Sequence, residues 1–236
     1  MISGKFTGTK LPFVFINVAT TIDGKLAPST RHFRPFSSRR DQQLLMELRT
    51  RADAVMAGAR TVDLNAVTLA PGGLRYRRRR VKNGLAEYNL RVVVSGSGSL
   101  NPQAEIFRDR SSPIIVFTTD RIAAPKLKKL RAVADEVAIF GEGQFDFTSA
   151  LRWLREKWNV KRLLCEGGGE LNAGLFRENL VDEIYLTFSP LIFCGRNAPT
   201  MADGEGIPEV KQAIRARLKT LERVGDELFL VYRVRK

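Results

Sequence analysis

Residues 163–171, Leu-Leu-Cys-Glu-Gly-Gly-Gly-Glu-Leu, carry the strongest local signal in the chain. An apolar strand runs into three consecutive glycines and then into a helix. Glycine has no Cβ, so backbone amides at such a corner can approach an anion, and the helix N-terminus adds partial positive charge. The pattern is neither a G-x-G-x-x-G fingerprint nor a Walker loop. It therefore predicts either a phosphate-binding corner or a plain tight turn.

Further candidate residues lie at or next to the ends of apolar strands. Glu166 stands at the carboxyl end of its strand, where ligands bind in open α/β sheets, although it could also be a solvated turn carboxylate. Gly58 and Thr61 follow the apolar strand 54–57 in the same way. Arg49 precedes that strand, and it could pair bidentately with a phosphate or be a surface helix residue.

Outward from the glycine corner, short apolar strands alternate with helices. Continuously apolar strands are typical of a mainly parallel sheet that is covered on both faces, so we expect an α/β fold in a single domain. A terminal hairpin over 218–235, turning at Gly225-Asp226, would make the sheet mixed. Ser37 or Ser38 and Asp146 are expected to cap helices, and Pro71–Tyr88 is expected to be a long surface loop.

Composition narrows the classes of protein. The 236 residues include 39 Lys+Arg and 25 Asp+Glu, a net charge of +14, and 44% are hydrophobic, which suffices for a globular core. We find no secretory signal and no apolar run near the roughly 20 residues that span a bilayer, so we expect a cytoplasmic protein. With His32 as the only histidine and two cysteines, a zinc site or a Ser-His-Asp triad is disfavoured. If the protein is an enzyme, an organic cofactor is expected instead.

A basic run, Arg75-Tyr76-Arg77-Arg78-Arg79-Arg80, lies within the expected loop. Five arginines on a flexible loop could bind RNA or attract phosphorylated small molecules. The alternative is a solvated loop, which the absence of recognisable aromatic stacking platforms favours.

Three stretches, taken together, resemble the pyrimidine reductase domain of riboflavin biosynthesis. They are residues 17–25, ending Thr-Thr-Ile-Asp-Gly-Lys; residues 48–61, with Ala-Asp-Ala-Val-Met-Ala-Gly; and residues 165–195, with Glu-Gly-Gly-Gly, Val-Asp-Glu and Ser-Pro-Leu. Their order and spacing agree over about residues 12–235. The resemblance implies a dihydrofolate-reductase-like fold without the deaminase domain of bifunctional members: a mixed, mostly parallel sheet with helices on both faces and a C-terminal antiparallel hairpin.

The resemblance also implies an oxidoreductase that uses NADPH to reduce the ribose of a 5-phosphoribosylamino-pyrimidine to a ribityl chain. The turn from Gly168 to Asn172 would hold the cofactor pyrophosphate, and Thr20 would lie near the nicotinamide. The implied cofactor contacts are Thr20, Gly58, Thr61, Asn65, Gly96, Gly168, Gly169, Leu171 and Asn172.

On the substrate side, the resemblance implies contacts from Arg49, Leu69 and Glu166. Arg49 would bind the substrate, with its phosphate as the expected target, and Glu166 would lie beside the hydride-transfer centre as the candidate catalytic residue. Two positions depart from the family pattern, since Asn65 replaces an aspartate and Gly72 replaces an arginine. Members of the family are usually homodimers, so a homodimer is expected.

Two alternatives remain open at this point. One is a dihydrofolate- or pteridine-type reductase on the same fold, because a fold alone does not determine a substrate. The other, from a different class, is an RNA-binding protein that uses the Arg75–Arg80 run.

Overall fold

Nine strands form one sheet in the computed structural model, which describes residues 11–31 and 36–236; His32 lies outside these ranges. The strands are β1 (Phe13–Thr21), β2 (Ala54–Gly58), β3 (Leu90–Val94), β4 (Ile114–Thr118), β5 (Glu136–Ile139), β6 (Arg162–Cys165), β7 (Val181–Ser189), β8 (Ala216–Val224) and β9 (Glu227–Val234). The α-helices are α1 (Arg39–Arg49), α2 (Ala59–Asn65), α3 (Leu74–Lys82), α4 (Ala124–Arg131), α5 (Phe147–Trp158) and α6 (Gly169–Arg177).

The strand order is β5-β4-β3-β2-β6-β1-β7-β9-β8. Every pair from β5 to β7 is parallel, whereas β9 runs antiparallel to β7 and β8 antiparallel to β9. The predicted α/β class, with a mixed and mostly parallel sheet and a C-terminal hairpin, is therefore confirmed. Gly225 at the hairpin turn has a φ of +62°, a conformation that glycine adopts without strain.

Helices cover both faces of the sheet, as the apolar strands predict. On one face, Leu154 of α5 and Leu175 of α6 share a buried cluster with Ile16 of β1. On the other face, Leu48 of α1 and Leu130 of α4 share a cluster with the neighbouring residue Phe15. Among the residues that the structure describes, no helix is long and apolar enough to cross a membrane.

The expectation of a long loop over Pro71–Tyr88 is wrong, because residues 74–82 form helix α3. Arginine, lysine and leucine are good helix formers, and glycine and proline occur only outside this helix. Within this helix one residue of the basic run, Arg80, is buried at 1% exposure. The run is therefore an ordered surface helix with one buried arginine.

Both expected N-caps are confirmed. The Ser38 side chain accepts a hydrogen bond from the Asp41 N–H at the start of α1, and the Asp146 side chain accepts one from the Ser149 N–H at the start of α5. Each satisfies a backbone donor that the first helical turn leaves without a partner.

Candidate active site

The carboxyl ends of β2 and β6 mark a topological switch point in the sheet. These strands are neighbours, yet the chain leaves β2 through α2 toward β3 and leaves β6 through α6 toward β7, on the other side of β1. Val62 of α2 and Leu175 of α6 belong to clusters on opposite faces. Diverging connections of this kind open a crevice at the strand ends, where open α/β sheets bind ligands.

The three glycines form a corner in this crevice, closely packed against the end of β2. The Gly58 N–H donates to the Gly167 carbonyl at 2.8 Å, and Gly167 has a φ of +77°. A Cβ at Gly169 would clash with the Asp203 carboxylate and the Thr200 carbonyl. Backbone conformation at Gly167 and close approach at Gly169 therefore both require glycine.

Helix α6 begins at this corner without a side-chain cap. The Asn172 N–H donates to the Gly168 carbonyl at 3.0 Å, which is the first bond of the helix. The amides of Gly169, Glu170 and Leu171 precede that bond and lack intrahelical acceptors. The predicted amides at a helix N-terminus are therefore present beside the glycine corner, and anion binding by them stays a prediction.

Thr61 and Asn65 lie on α2, beside the glycine corner. A Cβ at Gly168 would lie 3.6 Å from the Thr61 hydroxyl oxygen, so this hydroxyl borders the corner. The Asn65 Nδ2 donates to the Thr61 carbonyl at 2.9 Å, while its buried Oδ1 has no hydrogen-bond partner among the described residues. Thr20, at the end of β1, is 2% exposed, and its hydroxyl likewise lacks a partner within the described part of the chain.

The other predicted cofactor contacts have side chains that are buried or engaged within the protein, or lie farther along the edge of the sheet. Leu171 is a core residue, and the Asn172 side chain is engaged, with its Nδ2 donating to the Met201 carbonyl at 2.9 Å. Gly96 follows β3, and its carbonyl accepts the Thr119 hydroxyl at 2.7 Å. The structure thus brings Gly58, Thr61 and Gly168 together and places Gly96 one strand farther out.

Arg49 and Glu166, 117 residues apart in the chain, form a bidentate ion pair. The Arg49 Nε and Nη2 each lie 2.7 Å from a carboxylate oxygen of Glu166, and the Arg49 Nη1 donates to the Ala70 carbonyl. The two side chains are 6% and 9% exposed. The alternatives of a surface arginine and a solvated turn carboxylate are therefore wrong, and two of the three predicted substrate contacts meet at the end of β6.

Leu69 is fully buried, in the core cluster on the α1 face. Its carbonyl accepts a hydrogen bond from the Asn89 side chain at 2.9 Å. In this structure it presents no accessible surface to a ligand. It supports the neighbouring Ala70, whose carbonyl accepts from Arg49.

Helix α1, which carries Arg49, is held at both ends. At its start, the Ser38 N–H donates to the Glu227 carboxylate at 2.8 Å, and the Thr187 hydroxyl donates to Asp41 at 2.6 Å. Burial raises the pKa of Asp41.

At the end of α1, Arg80 donates to the carbonyls of Arg49, Ala52 and Ala86. Desolvation lowers the pKa of Arg80 to about 10. Arg80 of the basic run thus holds the backbone of Arg49 in place. The expectation of a surface loop did not suggest this structural role.

Asn17 is a candidate site residue that the sequence reasoning missed. It is 8% exposed, and its Oδ1 finds no partner among the residues described. Ile16 pairs with Cys165, the last residue of β6, so Asn17 and Glu166 are the residues that directly follow this pair. Asn17 shares a face of β1 with Phe15, on the side that α1 covers. The available signal was a lone amide inside the apolar strand Phe-Val-Phe-Ile-Asn-Val-Ala.

Cys165 is a core residue. Its thiol is fully buried and lies 3.4 Å from the Asn172 Oδ1, and desolvation raises its pKa to about 12. A thiol in this environment stays protonated and does not serve as a nucleophile.

The fold and the site together define an open α/β protein with a ligand crevice at its switch point. Within that class, the chain belongs to the RibD C-terminal domain family, whose model matches residues 12–230. This confirms the family that the three motifs indicate.

The chain is similar to 2,5-diamino-6-ribosylamino-4(3H)-pyrimidinone 5′-phosphate reductases of two archaea. It is 35% identical to that of Archaeoglobus fulgidus over 91% of this chain and 94% of the relative. It is 32% identical to that of Methanothermobacter thermautotrophicus over 95% of this chain and 99% of the relative. Among solved structures, a pyrimidine reductase-like protein from Corynebacterium diphtheriae has the same fold, with a TM-score of 0.79, 23% identity, and coverage of 95% of this chain and 92% of that one.

Proposed function

We propose that this protein is an NADPH-dependent reductase of riboflavin biosynthesis that converts a 5-phosphoribosylamino-pyrimidine to its ribitylamino form. The observation that carries the proposal is the glycine corner at the switch point, with the Arg49–Glu166 pair directly beside it. The names of the two archaeal relatives, both reductases of a ribosylamino-pyrimidinone 5′-phosphate, support this substrate class.

The residues at the crevice fit a dinucleotide cofactor. The corner at Gly168 leaves a space that a Cβ would partly fill, and the amides at the start of α6 suit a pyrophosphate. The buried hydroxyl of Thr20 and the Oδ1 of Asn65 have no hydrogen-bond partner among the described residues. Such orphaned polar atoms are costly unless a ligand or water satisfies them. Gly58, Thr61 and Gly169 complete the set beside the corner, and Gly96 extends it along the sheet edge.

The substrate would lie at the Arg49–Glu166 pair. When bound, NADPH supplies a hydride to the sugar carbon in its open-chain imine form. Glu166 contacts the substrate beside that carbon, and Arg49 fixes the orientation of its carboxylate through two parallel hydrogen bonds. A guanidinium has five N–H donors, so Arg49 retains two for the substrate phosphate. Asn17, next to Glu166, offers an amide to the same substrate.

The active assembly is proposed to be a homodimer in the cytoplasm. Strand β8 forms an edge of the sheet, and all nine of its residues are exposed, including Leu218 and Leu221. The outer edge of β8 has no neighbouring strand, and exposed apolar side chains along such an edge form a surface that a second copy would cover. The two cysteines are both unpaired, which suits a reducing compartment.

A spectrophotometric assay tests the proposal. We expect loss of nicotinamide absorbance when the protein is mixed with NADPH and 2,5-diamino-6-ribosylamino-4(3H)-pyrimidinone 5′-phosphate. NADH, dihydrofolate and a dihydropteridine serve as comparisons, with slower or no turnover. Turnover of dihydrofolate but not of the ribosylamino-pyrimidine would overturn the assignment in favour of the other reductase class.

The RNA-binding alternative loses its structural premise, because the arginine run is a helix with Arg80 in the interior. Oligonucleotide binding measured against salt concentration tests it independently. Steep salt-dependent binding that disappears when the exposed Arg78 and Arg79 become alanine would revive that alternative.

A further inference from the structure

The connection between β7 and β8 crosses the candidate active site. Residues 190–204 of this connection, here called the strap, pair with the turn that follows β1. The Ile22 N–H donates to the Leu191 carbonyl at 2.9 Å, and the Leu26 N–H donates to the Pro199 carbonyl at 2.8 Å. Lys25 and Thr200 form an isolated antiparallel bridge.

The far end of the strap lies on the glycine corner. The Asp203 N–H donates to the Gly169 carbonyl at 3.1 Å, and the Met201 carbonyl accepts from the Asn172 side chain. The strap therefore connects the end of β1, where Thr20 lies, with the start of α6.

Asp23 holds the first part of the strap, at residues 193–194. Its Oδ2 accepts the Cys194 N–H at 2.8 Å, and its Oδ1 accepts the Phe193 N–H at 3.2 Å and the Thr21 hydroxyl at 2.6 Å. The Thr21 hydroxyl lowers the pKa of Asp23, so the carboxylate is ionised and its hydrogen bonds are charge-assisted. Cys194 has a φ of +56°, which a residue other than glycine rarely adopts unless its surroundings hold it.

Exposed apolar side chains lie on both sides of this anchor. Ile22 on the turn is 62% exposed, and Leu191 and Ile192 on the strap are 40% and 64% exposed. Clustered apolar surface next to a crevice is the kind of surface that a bound ligand covers.

We propose that Asp23 is a positioning residue for cofactor binding, which acts by holding the strap across the crevice between Thr20 and the glycine corner. This inference rests on the proposed function, because the ligand it invokes is NADPH. Release of the anchor would leave the chemical step intact but let the strap open, so NADPH would bind more weakly. Asp23 stands in the Thr-Thr-Ile-Asp-Gly-Lys motif, and this anchoring gives the aspartate a physical role.

Hydrogen exchange and cofactor titration test the inference. In D23A, we expect exchange of the Phe193 and Cys194 amides to accelerate about tenfold or more, because both lose their acceptor. The Kd for NADPH should rise about tenfold, with kcat at saturating NADPH within about threefold of wild type. D23N should fall between, because the asparagine Oδ1 still accepts an amide. D23N also serves if D23A fails to fold.

Asp53 provides a matched control. Its Oδ2 accepts the N–H groups of Lys161 and Arg162, each at 2.8 Å, at the opposite, amino end of the strands. D53A should accelerate exchange at residues 161–162 by the same mechanism and leave the Kd for NADPH unchanged. A comparable loss of NADPH affinity in D53A would mean that general destabilisation, not the strap, explains the D23A result.

The outcomes separate this inference from the proposed function. Unchanged exchange at residues 193–194 in D23A would overturn the anchor, and faster exchange with an unchanged Kd for NADPH would overturn the positioning role. In both cases the wild-type reductase activity would stand. Failure of the wild-type protein to bind NADPH would overturn both proposals.

Discussion

Arg49 and Glu166 are the residues on which the candidate site depends. Their pairing removes two charges from water, and this desolvation cost offsets most of the attraction between them. Such a pair is therefore a poor source of stability, and its presence at a strand end in a crevice points to a role in binding. Arg49 also donates to the Ala70 carbonyl, so the guanidinium is fixed from two sides.

Glu166→Gln tests the pair directly. The substitution keeps the shape of the side chain but leaves the Arg49 charge buried without compensation, so we expect a loss of about 3 kcal/mol in the free energy of unfolding. We also expect kcat/KM to fall about 100-fold or more, since a positioned catalytic group typically contributes at least that much. Urea denaturation and steady-state kinetics measure the two effects.

The Arg77–Glu87 pair supplies the control. It is also an arginine–glutamate ion pair, at 2.8 Å, but Glu87 is half exposed. E87Q should cost less than about 1 kcal/mol and leave kinetics unchanged. Equal effects of E166Q and E87Q would contradict a special role for the buried pair.

Asn17→Leu separates a ligand contact from a structural one. Leucine replaces a buried amide whose Oδ1 has no partner among the described residues, so we expect the free energy of unfolding to stay the same or rise by about 1 kcal/mol. If Asn17 binds the substrate, kcat/KM should nevertheless fall at least about tenfold. Full activity in a stabilised N17L protein would show that Asn17 does not contact the substrate.

At the scale of elements, the position of Arg49 depends on how α1 is held. Its first turn is tied to β9 through Glu227 and to β7 through Thr187, and its last residue is held by Arg80 of α3. A helix fixed at both ends cannot slide or rotate easily, so the guanidinium stays in register with Glu166. Preorganisation of this kind is what a precise binding site requires.

Arg80→Met tests the contribution of α3. Methionine fills a similar volume but leaves the carbonyls of Arg49, Ala52 and Ala86 without their donor, so we expect a loss of about 2–4 kcal/mol in unfolding free energy. The KM for the pyrimidine substrate should rise more than the Kd for NADPH, because Arg80 supports the substrate side. R78M, at a neighbouring exposed position of the same helix, should change none of these quantities. Equal shifts of the substrate KM and the NADPH Kd in R80M would argue against selective support of Arg49.

At the scale of the whole molecule, the sheet ends in a hairpin whose outer strand, β8, has a neighbouring strand along one edge only. Strand β9 pairs with both β7 and β8, whereas β8 has one neighbour and remains exposed along its length. Exposed edge strands are sites of association between chains, and a net charge of +14 limits non-specific aggregation. The exposed leucines of β8 are the surface on which the proposed homodimer would form.

Leu221→Glu tests the proposed homodimer. Leu221 is 56% exposed in the centre of β8, and a charge there would oppose burial against a second copy. We expect light scattering after size exclusion to show a dimer for wild type and a monomer for L221E. V81E alters a similarly exposed residue, at 57%, on α3 and should remain dimeric. A monomeric wild-type protein would refute the interface.

Local features of the chain were predictable from sequence. Apolar strands, the caps Ser38 and Asp146, the hairpin turn at Gly225 and the glycine corner each depend on residues within a few positions of one another. The resemblance to a known family added the fold type and the set of candidate site residues. Neither the local sequence pattern nor the resemblance indicated that residues 74–82 are helical, because a charged, arginine-rich run is typical of a solvated loop.

The arrangement of the site came only from the tertiary structure. Placement of β6 between β2 and β1 brings Glu166 to Arg49 across 117 residues and sets Asn17 beside them. Arg80 is buried because the end of α1 offers carbonyls to it, which no periodicity of its own helix reveals. Local propensity depends on near neighbours, whereas these contacts exist only once separate segments pack against each other. The local sequence therefore determines the helices and strands, and their packing brings the site residues together.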